Sequence, residues 1–508
     1  MNLGAEASTA SNVSLLVGSR LRIALLLIAA LLLPHLTPYL ARHSLVSGRA
    51  LVNLDFLLVP AICAAFGSRW GATCYVVLCL VDAVEFLAPI YHLDFLHFLL
   101  YLRYSPQLTL DLSALPLMQI SCFIVITLGG AVLTLRAGRH VDRKMGLIFV
   151  AVAALLGITD ACGGPSNASR HFRASQPDLT LLQMNVATSG SYRLQLDVEK
   201  MWQAREVRPW LPAPSGIGAA LGPGLDGAST RVVGRNLALI IVESWGEPIE
   251  PHAAAAQLHQ LLSPEVSNRF EVRRGTVPFW GGTTAGELRE LCGVRYNYEW
   301  LQLGQSRTRC LPEILSARGF GVTGWHGFFG SFFNRDEWWP IVGIKDRRFL
   351  DTNNEVPKRP LCGYVFRGIC DADLIARMGE EMAKPGRHFG YVLTLNSHVP
   401  LPIPDNISNA PENGIPVRPA VRAMTRQLDK VFEAIALQAM RPELADTQFV
   451  IVGDHAPPFV DAAAARAYRG DVVPYIELRP RTAKGGIDMH TDSTSKHSAA
   501  TVASTIPH

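Results

Sequence analysis

No block of lysine or arginine interrupts this chain of 508 residues; the basic residues are scattered, and the net charge is only +4. The positive stripe with which a nucleic-acid binder neutralises phosphates is therefore missing, and nucleic acid is set aside as a partner. No small-residue cleavage site closes the first apolar run either, and more such runs follow it, which argues against a removed signal peptide. What the sequence has in abundance is apolar residues, 49% of the total, with a mean hydropathy of +0.18. A chain of this length and character is more than one ordinary domain and is not wholly soluble.

The apolar residues are concentrated at the front. Stretches near 21–40, 50–66, 71–90, 114–135 and 145–162 each approach the roughly 20 residues needed to cross a hydrocarbon core. This predicts about five spans in a transmembrane domain over 1–162. The second stretch is short and carries Asp55, and the third carries Asp82 and Glu85, so a re-entrant or four-span arrangement is the alternative. Ionisable groups at such depth face a bundle interior or cavity. Orientation follows from the short loops: with the N-terminus inside, the inner segments hold Arg20, Arg22, Arg69, Arg136, Arg139, Arg143 and Lys144, and the outer ones Arg42, Arg49 and Arg103. That bias favours N-in and places the chain beyond residue 163 outside.

Residues 163–234 read as a juxtamembrane segment and linker. The stretch "LQLDVEKMWQAREVRPWL" is a candidate amphipathic surface segment, and the Gly/Pro/Ala/Ser-rich stretch 212–230 is a loop or linker by composition. The far end, 481–508, is polar and rich in small residues, as disordered tails are.

Between them, over 235–480, the pattern is that of a soluble α/β domain. Continuous apolar runs at 237–242, 319–324, 389–395 and 448–452, with a helical stretch at 419–440, suit a mainly parallel sheet covered by helices. Each run ends at once in polar residues: Glu243; Trp325, His326 and Gly327; Asn396, Ser397 and His398; Gly453, Asp454 and His455. In open α/β sheets ligands bind beyond the carboxyl ends of the strands, so the four clusters are expected to converge on one crevice. Carboxylates with imidazole suit Mn²⁺ or Zn²⁺.

A nucleophile is offered by "FWGGTTAGELRELCG", 279–293. Thr284 and Glu287 fit a capping box, Thr-x-x-Glu, which starts a helix and leaves Thr283 at or just before its N-terminus. A hydroxyl there, beside a divalent cation, is where an alkoxide is stabilised and a phosphoryl group binds. Gly281 and Gly282 allow close approach of a substrate to the backbone.

Taken in order, Glu243-Ser244-Trp245-Gly246, Gly281-Gly282-Thr283-Thr284, Trp325-His326-Gly327 followed by "SFFNRDEWW", "LNSHVP" around His398, and Gly453-Asp454-His455 resemble the motifs of lipoteichoic acid synthases and related phosphoglycerol transferases, membrane-anchored members of the sulfatase/alkaline phosphatase superfamily. The resemblance covers about 236–478. It implies a divalent metal held by Glu243, Thr283, Asp454 and His455, Thr283 as nucleophile, and His398 as acid or base. Substrate-binding positions fall on Arg335, His326, Phe333 and Asn334. Phe333 stands where those synthases have Trp, and the residues after His455 depart from theirs. The sulfatase branch proper is disfavoured, because Cys310-Leu311-Pro312-Glu313 begins a formylglycine motif but Ile314 occupies its Arg position. The activity implied is transfer of a phospholipid head group, phosphoglycerol or phosphoethanolamine, to an exported glycan or glycolipid, in a multi-pass protein of the bacterial inner membrane with its catalytic domain outside. A phosphodiesterase would share metal and nucleophile and use water instead.

The cysteines agree with that placement. Cys63, Cys74, Cys79 and Cys122 lie in the apolar stretches and Cys162 at the last membrane edge, which leaves Cys292, Cys310, Cys362 and Cys370 outside. An even set in an oxidising compartment permits bridges in any of three connectivities. The short loops favour Cys292–Cys310 and Cys362–Cys370.

Overall fold

The computed structural model describes residues 21–36, 52–87, 98–99, 102–107, 117–162, 187–188, 212–222, 230–295, 309–352, 360–402, 418–459 and 461–481. The amphipathic stretch expected before 212 and the tail after 481 lie outside them.

The front of the chain is helical: α1 (Leu21–Leu36), α2 (Val59–Phe66), α3 (Ser68–Leu87), α4 (Leu117–Ala137) and α5 (Arg143–Cys162). Its surface is greasy, with Leu25, Leu80, Val125, Leu128, Leu147 and Leu155 all exposed, while Phe56, Tyr75, Cys63 and Ala131 are inside. Among the described residues one helical stretch, Ser121–His140, is long and apolar enough to cross a membrane by length and composition. The second expected span is shorter than the apolar run that suggested it. A 3₁₀ turn at Leu54–Leu58 runs on into α2 as one helical stretch, Leu54–Phe66, that reaches about 22 Å, short of a hydrocarbon core of about 30 Å. Asp55, Asp82 and Glu85 are buried in this bundle, and Asp82 accepts a hydrogen bond from Asn53 Nδ2 at 3.1 Å.

The rest is an α/β domain on a seven-stranded sheet. Its strands are β1 (Asn236–Val242), β2 (Phe270–Pro278), β3 (Phe320–His326), β4 (Asp346–Arg348), β5 (Arg387–Leu393), β6 (Thr447–Gly453) and β7 (Val472–Pro480). They lie in the order β2-β7-β6-β1-β5-β3-β4. From β6 to β4 the pairing is parallel; β7 and β2 close one side antiparallel. Burial on both faces explains the unbroken apolar runs of β1 and β6.

Side chains alternate across the sheet. Ala238, Ile240 and Val242 face a core with α10 (Asp371–Ala383) and α11 (Pro419–Ala439), through Leu374, Met378, Met424 and Leu428. Leu237, Leu239 and Ile241 face the opposite core. That second layer is made by α6 (Gly216–Leu221), α7 (Thr283–Cys292), α8 (Leu311–Ala317) and α9 (Arg335–Ile341). Residues 212–222, a linker by composition, thus fold onto the domain. Ile217 and Leu221 are buried there, and Gly216 sits where a Cβ would come within 2.9 Å of Tyr475. Small residues here serve close packing rather than flexibility.

Cys292 is bonded to Cys310 and Cys362 to Cys370, the pairing that the short loops favour. The first ties the end of α7 to the start of α8.

Candidate active site

The parallel strands deliver their polar ends to one place. Glu243 follows β1, and Asp454 and His455 follow β6; one ligand atom from each lies within 4.8 Å of the others, and all three side chains are buried. His455 Nε2 is 3.5 Å from Glu243 Oε1 and 3.3 Å from Asp454 Oδ2. His398, in the loop after β5, brings Nε2 to 4.0 Å from Glu243 Oε1. His326 ends β3 at the same edge of the sheet, buried, with Nδ1 3.1 Å from the Leu393 carbonyl. Three of the four strand ends thus meet at Glu243, and His326 stands at the same edge of the sheet.

Thr283 completes the group from the side. It opens α7 behind the Gly282 cap, donating from Oγ1 to Glu243 Oε2 at 3.1 Å and lying 3.4 Å from His455 Nε2. Two glycines make this approach feasible: Gly281 takes φ +64, and at Gly286 a Cβ would meet Asp454 Cβ at 2.9 Å. The capping box read from Thr284 and Glu287 is not formed. Glu287 is fully buried and accepts from Arg335, Trp339 Nε1 and Tyr391 Oη at 2.9, 3.0 and 2.9 Å. Three distant donors outcompete the local backbone amide.

Arg335 is buried as well. Its Nε and Nη2 hold Glu287 and its Nη1 donates to the Phe332 carbonyl at 3.2 Å, so its donor fork, expected on phosphate oxygens, is engaged within the domain. Phe333 and Asn334 precede it in left-handed conformation, φ 56 and 51. Trp338 and Trp339 are in the core. Ser397, one of the strand-end polar residues, is buried and donates to the Glu243 carbonyl at 2.5 Å. Asn396 Oδ1 accepts from the Asp371 amide at 2.8 Å.

Other residues the sequence did not single out as site residues hold the ligands in place. Thr394 Oγ1 accepts from the Glu243 amide at 2.9 Å. Asp371 accepts from the Leu395 and Asn396 amides at 2.8 Å each, fixing the His398 loop. Arg289 donates to the Asp454 and Gly453 carbonyls at 3.1 and 2.6 Å, and its neighbour Glu290 accepts from the Gly216 and Ile217 amides at 3.2 and 2.8 Å.

The donor set fits a divalent cation. Asp454 Oδ2 is buried with no hydrogen-bond partner, although Oδ1 accepts from the Ser244 and His455 amides. Burial, followed by the Glu243 charge, pushes the Asp454 carboxyl up to about 7, a conflict that a cation would relieve. At His455 burial opposes a charge, but Asp454 and Glu243 outweigh it and raise its pKa. His455 Nδ1 lies 2.9 Å from the Ala456 carbonyl; donation there leaves the Nε2 lone pair for a metal. Oxygen and nitrogen donors of this kind suit Zn²⁺ or Mn²⁺. His398 differs: removal from water takes it down to about 4. Burial, then Arg335, also lowers His326 well below its usual range. Both imidazoles are neutral near pH 7.

No family model matches the sequence, and no curated protein matches it. Similar solved structures include the lipoteichoic acid synthase LtaP from Listeria monocytogenes, 14% identical over 56% of this chain and 72% of that one, with a TM-score of 0.37. The phosphoglycerol transferase GacH from Streptococcus pyogenes, in complex with sn-glycerol-1-phosphate, is 15% identical over 49% of this chain and 69% of its own, with a TM-score of 0.37. The C-terminal periplasmic domain of EcEptC from Escherichia coli, in complex with Zn, is 12% identical over 54% and 77%, with a TM-score of 0.32.

Proposed function

We propose that this protein is a membrane-anchored, metal-dependent phosphotransferase that moves a phospholipid head group through a covalent Thr283 intermediate to an exported glycan or glycolipid. The observation that carries the reading is Thr283 Oγ1 at a helix start, 3.1 Å from Glu243 Oε2 and 3.4 Å from His455 Nε2. Mn²⁺ or Zn²⁺ held by Glu243, Asp454, His455 and Thr283 would supply the charge that makes the threonine hydroxyl acidic.

Thr283 Oγ1 attacks the phosphorus of the lipid phosphodiester, the bond to the diacylglycerol oxygen breaks, and diacylglycerol leaves with a proton. The acceptor hydroxyl then attacks the phosphothreonine diester and the Thr283 oxygen departs. His398, neutral at working pH, serves the acceptor step as base. Phe333, Asn334 and His326 contact the head group, and Arg335 sets their loop. The multi-pass topology and the placement of the domain outside the bacterial inner membrane belong to the same proposal.

Between donor head groups, phosphoglycerol is favoured. Asn334 and His398 suit the hydroxyls that a glycerol head group offers. The test is incubation of the purified full chain with phosphatidylglycerol and phosphatidylethanolamine, reading diacylglycerol release and the mass of the Thr283 peptide. A glycerol-phosphate adduct on Thr283, absent in Thr283→Ala together with turnover, is expected. An ethanolamine-phosphate adduct alone would overturn the donor. Normal turnover in Thr283→Ala would overturn the mechanism.

A further inference from the structure

The segment between α3 and α4 reaches into the catalytic domain. Leu102–Gln107 is a 3₁₀ turn, and its Tyr104 is buried with Phe328, Phe332 and Leu395 of the domain. The Tyr104 ring lies 5.2 Å from Phe332 and 5.5 Å from Phe333. Its hydroxyl donates to Asn334 Oδ1 at 2.9 Å, across 230 residues of sequence. The ring contacts run on to the site, from Phe332 to Phe366 at 5.8 Å and from Phe366 to the His398 imidazole at 3.9 Å.

An independent feature falls at the same spot. Phe333 and Asn334 are two of the three non-glycine residues with positive φ among the described residues; the third, Ser244, stands beside the metal ligands. Left-handed backbone is costly for L side chains, and it persists only where the surroundings over-determine it. From within the domain the pair is held by Trp338 Nε1 donating to the Phe333 carbonyl at 3.0 Å and by the Asn334 amide on the Ser331 carbonyl at 3.0 Å. From the membrane part it is held by Tyr104.

We propose that Tyr104 is a positioning residue: a latch by which the membrane part keeps the loop 328–335 in its strained working shape, so that the wall receiving a phospholipid phosphodiester is complete only in the full chain. The proposal rests on the transferase reading above. Packing of the ring supplies most of the hold, and the bond to Asn334 fixes the side chain meant to meet the head group. An extramembrane domain freed from residues 102–107 would keep the metal ligands and lose the latch.

The experiment uses the full chain in phosphatidylglycerol-containing nanodiscs, with Tyr104→Ala, Tyr104→Phe and, as a neighbouring control, Leu102→Ala, whose side chain is exposed. Diacylglycerol release gives kcat and KM, and hydrogen exchange of the 328–339 amides reports on the loop. Tyr104→Ala is expected to lower kcat/KM at least about tenfold, with KM rising as kcat falls, since loss of folded enzyme alone would leave KM unchanged. Tyr104→Phe, which keeps the ring and loses the bond to Asn334 together with the one accepted from Arg103, should recover to within about fivefold of wild type. Exchange over 328–339 should rise in the alanine variant and stay unchanged in Leu102→Ala. Wild-type kinetics, or unchanged exchange, in Tyr104→Ala overturns the latch. A wild-type chain that releases no diacylglycerol refutes the transferase reading instead, and exchange over 328–339 then decides the latch by itself.

Discussion

Adding one methyl group at Gly286 should disable the site without touching a reacting atom. An alanine Cβ there would stand 2.9 Å from Asp454 Cβ, 3.0 Å from its Cα and 3.2 Å from its carbonyl oxygen. Carbon atoms rest at about 3.5 Å or more, so α7 must back away from the β6 end by roughly 0.6 Å. The contact atoms are backbone and Cβ, and a rotamer change cannot absorb the clash. Thr283 rides on the same helix and retreats with it, lengthening its 3.1 Å bond to Glu243 and its 3.4 Å approach to His455. Overpacking costs about 1–3 kcal/mol, offset in part by the gain of about 1 kcal/mol for alanine over glycine within a helix. The fold should therefore survive with a modestly lower Tm. Misplacing a nucleophile by a large fraction of an ångström costs on the order of 100-fold in rate. Diacylglycerol release by Gly286→Ala, measured beside circular dichroism and bound-metal content, should fall by one to two orders of magnitude in a folded protein. Wild-type turnover would refute the view that contact between Gly286 and Asp454 sets the Thr283 geometry.

Glu287→Ala strands the buried Arg335 guanidinium and should cost about 3–5 kcal/mol of stability; an unchanged thermal midpoint would mean the pair is not the anchor its geometry indicates. Exhaustive chelation should abolish turnover and lower Tm, with Mn²⁺ or Zn²⁺ restoring both; saturation at 100 times Kd contributes about 2.7 kcal/mol, and turnover that survives chelation excludes a metal-held Thr283. Burial pushes Asp371 from 3.8 up to about 7. A carboxyl raised on folding adds stability that is full below its unfolded pKa and is lost as pH climbs through the folded one. The wild type should thus weaken from pH 4 to 7, by up to about 4 kcal/mol, more steeply than Asp371→Asn, and parallel Tm–pH curves would contradict this.

Much of the fold was legible because both-face burial writes itself as continuous apolar sequence. β1, β3, β5 and β6 fall within two residues of the expected runs. β2, β7 and β4 left no such mark. β2 is an edge strand with exposed Arg273 and Arg274, and β7 contains Pro474 and Pro480, residues that ordinarily argue against a strand. The strand-end residues Glu243, His398, Asp454 and His455 could be placed because topology alone puts them at one edge. Glu287 could not, since its spacing from Thr284 imitates a cap while its partners Arg335 and Tyr391 stand 48 and 104 residues away. Tyr104 was beyond reach for the same reason.

The arrangement of α7 shows why local reading stops where it does. Within one helix Thr283 meets Glu243 and His455, Gly286 touches Asp454, Glu287 secures Arg335, Arg289 grips the Gly453 and Asp454 carbonyls, and Glu290 caps the backbone of α6. Thr283, Gly286, Glu287 and Glu290 stand at i, i+3, i+4 and i+7 and so share one face, which by sequence reads as a solvated polar side beside the stripe of Leu288 and Leu291 but is turned into the domain. A periodicity search therefore finds a short amphipathic helix and nothing more. The same crowding means that the helix cannot shift to accommodate a change at one position without moving the others. Perturbations at Gly286, Glu287 and Arg289 should accordingly be non-additive, each capturing part of the same displacement of Thr283.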